Sequence, residues 1–189
     1  MNGHAPGIVE PPELSAEVQT ALKARGLDFV PVRCIPVINC GYEVPGPILL
    51  SLRGRVYAYF CEEGGVSPAN ILRCDQASRV IVVIDFSGSE LARLLCVRWC
   101  VKVVFEPCGP GQHISLPHQW VEEKLCENRV VVVSFLVPGR TFPCDGAPGY
   151  ECGSLWNVCI TVTSFDMCKK PAPFAGYCTG GPIMVYPAP

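Results

Sequence analysis

Apolar positions along the chain recur first at helical spacing and then, from Asp28 onward, at the spacing of strands. Leu14, Val18, Ala21 and Leu22 stand at i, i+4, i+7 and i+8. Ser15 can cap that run, Lys23 and Arg25 fall near its C-terminus, and Gly26 can stop it, which together predict one short amphipathic helix. The same stripe suits a helix that packs on its own domain or one that binds a partner. Beyond it come "FVPVRCIPVI", "GPILLSLRGRVYAYF", "RVIVVIDF", "CVRWCVKVVF", "RVVVVSFLV", "LWNVCITVTSF" and "PIMVYP", separated by Gly, Pro, Asp, Asn and Ser clusters with the chemistry of turns. "RVYAYF" alternates, as a half-buried strand should, whereas "RVIVVI" and "RVVVV" are continuous and predict strands buried on both faces. The expected class is mainly β, a β-roll, sandwich or barrel preceded by a short N-terminal helix. Helix-like interruptions are expected at "SELARLLC" and "LPHQWVEEKLCEN".

A chain of 189 residues suits one domain. Residues 1–12 mix Gly, Pro and polar side chains and predict an arm, leaving 13–189 as a single β-rich domain. Residues 138–153, "PGRTFPCDGAPGYECG", are the longest Pro/Gly-rich segment and predict an excursion from it. The C-terminal 169–189 is turn-rich yet carries aromatics, which predicts an arm docked on the domain.

With 49% hydrophobic and 17% charged residues, the chain can bury a sizeable core. A formal charge of −2, with Lys and Arg scattered, supplies no footprint for general nucleic-acid binding. No apolar run approaches the ~18 residues that a membrane span requires. Thirteen cysteines stand mostly where small hydrophobes would, as in "LLCVRWCVKVVF", which suits reduced, buried thiols. Residues 1–25 carry Glu10, Glu13 and Glu17 and lack an apolar signal region, so the expected location is cytoplasmic or nuclear rather than secreted.

Cys96, Cys100, Cys108, His113 and His118 lie close enough in sequence to raise the question of zinc. Cys96 and Cys100 sit in a strand-like run rather than in a tight knuckle, which favours buried thiols and no metal. The chain has no Gly-x-Ser-x-Gly elbow, phosphate loop or dinucleotide fingerprint. Glu122 and Glu123 beside Lys124 suit a solvated face.

One ordered set of short motifs remains. Cys40-Gly41-Tyr42-Glu43-Val44, Val66-Ser67-Pro68, Val83-Ile84-Asp85 with Gly88, Val101 to Glu106, and Ala175-Gly176-Tyr177-Cys178-Thr179-Gly180-Gly181 occur in the order of the five dUTPase motifs. The chain therefore resembles degenerate dUTPase-like proteins of large DNA viruses, whose relatives often keep the β-roll and lose the chemistry. The resemblance covers roughly residues 36–108 and the last dozen or so. It implies that Asp85 is the water-activating carboxylate if the chain is an enzyme and that, if a nucleotide binds, Gly176, Tyr177, Thr179 and Gly180 close over it with Lys169 and Lys170 adding charge; the C-terminal motif also suits a turn before the last strand, and Tyr42 is read as an inherited scaffold residue, a ligand contact only if a nucleotide binds. Ser67-Pro68-Ala69-Asn70 departs from the family's Pro-Arg-Ser-Gly turn and lacks its phosphate-binding Arg, and the aromatic that stacks under the sugar is displaced, Phe86 being the nearest substitute.

These readings lead to an intracellular, viral accessory protein on a dUTPase-like scaffold that binds host proteins without turnover and without a cofactor. The alternatives are an active dUTP diphosphohydrolase using Mg2+, with Asp85 as base, and a cysteine-rich zinc-binding module.

Overall fold

The computed structural model describes residues 14–27, 35–43, 53–63, 71–87, 97–121, 129–143 and 154–187, with backbone alone at 35–43, 53, 173 and 174. Helix α1 spans Ala16–Ala24. Its N-cap is Ser15, whose hydroxyl accepts a hydrogen bond from the Val18 N–H at 3.3 Å. Gly26, at φ 67°, ends it, and the Leu27 N–H returns to the Leu22 carbonyl at 2.9 Å. The cap, the apolar stripe and the stop all fall where the sequence places them.

Four antiparallel strands form the first sheet in the order β1-β2-β4-β8. They are β1 (Ile35–Glu43), β2 (Arg53–Glu62), β4 (Ser78–Asp85) and β8 (Val130–Val137). Val80, Val82 and Ile84 of β4 point into the main core, while Ile81 and Val83 point the other way, beneath Val18 and Leu22 of α1. The helix thus lies on its own domain and covers the outer face of this sheet. Burying Val18 and Leu22 contributes about 1.5–3 kcal/mol each. β8 divides in the same way, with Val131, Val133 and Phe135 inward and Val130 and Val132 toward the helix. The expectation of two-sided burial for "RVIVVI" and "RVVVV" is met for this reason.

"RVYAYF" departs from its half-buried expectation. Val56, Ala58 and Phe60 face the main core, but Tyr57 and Tyr59 pack under α1 and are each only 2% exposed. Tyrosine looks amphipathic in sequence, yet its ring fills space under a helix as well as an aliphatic side chain does. Burial pushes the Tyr59 hydroxyl up to about 12 from an ordinary value of 10.0. The folded state holds that proton more tightly than the unfolded chain, so the contribution is complete below pH 10 and declines as pH rises toward about 12. Urea titrations across this window should show wild type losing on the order of 2 kcal/mol, a loss much reduced in Tyr59→Phe. Parallel curves for the two proteins would place the alkaline loss elsewhere.

The second sheet runs β3-β10-β9-β5-β6, with β7 also paired to β5. Its strands are β3 (Ile71–Arg73), β5 (Arg98–Pro107), β6 (Ile114–Ser115), β7 (Gln119–Val121), β9 (Ser154–Phe165) and β10 (Pro171–Tyr186). All pairings are antiparallel except that of β3 with β10. Trp99, Val101, Val103 and Phe105 of β5 and Trp156, Val158, Ile160 and Val162 of β9 face the first sheet and close the core. The helix expected over "LPHQWVEEKLCEN" is not formed at its start, because Gln119, Trp120 and Val121 pair with Val101, Cys100 and Trp99 as β7. An available strand edge overrides the local helix pattern there. Residues 122–128, the second helix-like stretch at 89–96, the arm at 1–12, the 67–70 turn and the later part of 138–153 lie outside the described residues.

The two sheets form an open sandwich, and among the described strands no pairing joins one sheet to the other, so the barrel alternative is not realised. The segment expected as a C-terminal docking arm takes the form of β10, a full-length partner of β9. Its ladder shifts between Gly180 and Ile183, where Gly181 adopts φ 117°, a backbone conformation that side chains rarely allow.

The cysteines divide. Cys100 and Cys159 are free and buried and Cys178 is buried too, as expected of thiols that replace small hydrophobes, and burial pushes the Cys100 thiol up, away from reactivity. Cys61 and Cys74 are disulfide-bonded, which corrects the expectation of reduced thiols throughout. Nothing in the sequence distinguishes these two from the free cysteines, because pairing depends on which positions the fold brings together. Such bonds are a feature of oxidising surroundings.

Candidate functional site

Asp85 closes β4, opposite Arg55 of β2 and Val130 of β8. Strand alternation places it on the same side as Ile81 and Val83, the side that α1 covers, and it is only 7% exposed. Its Oδ1 accepts a hydrogen bond from the Ser87 N–H at 2.8 Å, an Asx-type turn that bends the chain out of the strand. The Ser87 hydroxyl then meets that of Ser15, the helix cap, at 3.3 Å. Beside this corner Arg129 pairs with Glu17 of α1, and its carbonyl accepts from the Phe86 N–H. The Tyr57 hydroxyl next to the Arg55 guanidinium raises that group above its ordinary value, with Asp85 adding to the effect. Through Ser87 the strand end that carries Asp85 meets the helix start.

Phe86, the substitute for a sugar-stacking aromatic, is 1% exposed and stacks on Trp99 with ring centroids 5.9 Å apart. It is a core residue, unable to meet a ligand without repacking. Tyr42 lies on β1 opposite Gly54.

The C-terminal motif occupies β10. Gly176 and Gly180 stand opposite Val162 and Val158 of β9, so their backbones are committed to a ladder. Tyr177 and Thr179 alternate to the outer face, where Tyr177 is 63% exposed and Thr179 lies 3.7 Å from the Cys159 thiol. Lys169 and Lys170 sit in the β9–β10 turn, organised by Asp166, whose Oδ1 accepts from the N–H groups of Cys168 and Lys170 at 2.8 Å each. Asp85 and Tyr177 consequently project from opposite outer surfaces of the sandwich, and within one chain the fold does not bring them to a common ligand.

What the motif reading missed is the outer face of the second sheet. α1 covers the first sheet, whereas here Trp120, Tyr177, Leu155 and Ile71 are 45%, 63%, 47% and 48% exposed. Trp120 packs its ring edge against Phe165, centroids 4.7 Å apart, and His118 lies 6.4 Å away. Lys102 stands in register with Thr161, which faces Tyr177, so one cross-strand row carries cation, hydroxyl and aromatic. Leu155, Met184 and Ile71 form a second, apolar row. Aromatics in a turn-rich tail were visible in sequence, but which face stays open was not.

Among the described residues no three His, Cys, Asp or Glu side chains stand together as metal ligands, and no helix is long and apolar enough to cross a membrane. Comparison with protein-family models and with curated proteins finds no match to this chain.

Proposed function

We propose that this chain is a protein-binding module that engages its partner through the open outer face of the second sheet, with Trp120 and Tyr177 as anchors. The observation that carries the reading is the asymmetry of the sandwich: one outer face is covered by α1, and the other exposes two large aromatics and an apolar row. Trp and Tyr dominate binding energy at protein interfaces because they bury much area at small entropic cost. The ordered motif set supports a dUTPase-like scaffold of viral origin with a host protein as partner. The position of Asp85 within a strand-to-helix corner supports loss of turnover.

The test combines two measurements on one preparation. Pyrophosphate release from dUTP with Mg2+ is expected to be absent. Captured partner is expected to bind stoichiometrically, with Trp120→Ala or Tyr177→Ala each weakening binding about tenfold or more. Turnover abolished by Asp85→Asn would establish the diphosphohydrolase instead, and partner binding indifferent to both aromatic substitutions would sink the proposed surface.

A further inference from the structure

The open face of the second sheet carries opposite charges in a symmetric pattern. Val101, Val103 and Phe105 of β5 point into the core, which leaves Lys102, Val104 and Glu106 on the outer face. Lys102 and Glu106 are exposed, and among the described residues neither enters an ion pair. They cannot pair with each other within one chain, because four residues of strand hold their backbones about 13 Å apart. Val104 lies midway between them.

The same symmetry continues across the sheet. Ser115, Val104, Cys159 and Thr179 stand in register and form one row from β6 to β10. Two residues to one side of it lie Lys102, Thr161 and Tyr177. Two residues to the other lie Glu106 and Asn157, with Gly181 following Thr179 by two positions on β10. A two-fold axis along the central row lays the outer faces of two copies together and exchanges the flanking rows. Lys102 of each copy then faces Glu106 of the other, in two equivalent ion pairs, as an interface made of one patch twice requires. Extended lysine and glutamate side chains together span the ~10 Å between face-packed sheets.

Shape agrees with charge. Tyr177, 63% exposed, falls over Gly181 of the second copy. Gly181 is exposed and stays bare, since at φ 117° a Cβ would stand 3.1 Å from the Trp156 carbonyl. The row of Leu155 and Met184 falls over Thr163 and Ala175, so apolar side chains meet methyl groups. Four strands about 4.8 Å apart, along the 12 residues of β9 at about 3.3 Å each, offer roughly 750 Å². A standard specific interface buries about 800 Å² on each side.

We infer that a second copy of this chain docks on the outer face of the second sheet through reciprocal Lys102–Glu106 pairs, and so competes with the partner for Tyr177. The inference rests on the reading of this face as the binding surface and adds its regulation: self-association masks the face at high chain concentration, and dilution bares it. Trp120, on β7 at the margin of the sheet, enters neither ion pair.

Sedimentation equilibrium of the full chain over a wide concentration range tests the pairing, and a monomer–dimer equilibrium is expected. Lys102→Glu and Glu106→Lys each set like charges together twice and should weaken dimerisation about tenfold or more. The double variant should restore it, because both pairs re-form with their signs exchanged. Both positions are exposed, so all three variants should keep the wild-type urea midpoint. Captured partner should dissociate the wild-type dimer. A monomer at every concentration would overturn the inference and leave the partner reading to stand on Trp120→Ala. Dimers indifferent to the single charge reversals, or not recovered in the double variant, would overturn the pairing. Dimers that follow the charge reversals while partner binding ignores Trp120→Ala and Tyr177→Ala would remove the partner reading and the competition, and keep the dimer.

Discussion

Leu22→Asp should lower the unfolding free energy by about 4 kcal/mol or more, combining a lost core side chain with a carboxylate placed where it has no partner. Leu22 is fully buried, and with Val18 it seals Tyr57, Tyr59, Ile81 and Val83 from water. Detaching α1 would bare that whole face, so increased binding of a hydrophobic dye should accompany the drop in the urea midpoint. Loss of the helix would also free Ser15 from Ser87 and Glu17 from Arg129, unpinning the corner at Asp85. A midpoint within error of wild type would mean that α1 stands off the sheet and serves an external partner, the other reading that its apolar stripe allowed.

Gly54→Ala should destabilise by about 3 kcal/mol through overpacking. A Cβ there would stand 2.5 Å from Cε1 of Phe86 and 2.7 Å from its Cδ1, closer than real contacts allow. The ring cannot retreat freely, because Trp99 stacks behind it and is completely buried. Phe86→Leu alone should cost stability by leaving a cavity, but in the double variant the smaller side chain makes room for the new methyl. The two effects should therefore fall short of additivity by about 1 kcal/mol or more. Strict additivity in a thermodynamic cycle would show that Gly54 and Phe86 do not share this space.

The helix was legible because its cap, stripe and stop lie within a dozen residues and depend on local geometry. The strands were legible from runs of β-branched residues between turn formers, and two-sided burial followed for Val80 to Ile84 and for Val130 to Val133. Local patterning failed at Tyr57 and Tyr59, whose hydroxyls read as a solvent face until α1 is seen above them. It failed at Trp120 too, where a helix-like stretch begins by pairing with β5. At the candidate site, the motif order carried Asp85 and Tyr177 as one constellation. Residues 92 positions apart meet only if the topology allows it, and here strand alternation sends them to opposite surfaces.

By itself the sequence determined the mainly β class, the helix with its boundaries, and the apolar core positions of β4 and β8. These follow from local propensity, from period-two or helical spacing, and from composition, none of which needs long-range contacts. Tertiary structure alone decided that the helix covers its own sheet, that the opposite sheet keeps Trp120 and Tyr177 exposed, and that Cys61 and Cys74 are bonded while Cys100 and Cys159 are free. The reason is physical: burial, disulfide pairing and convergence of side chains are properties of distance between residues remote in the chain, set by which sheet faces pack together.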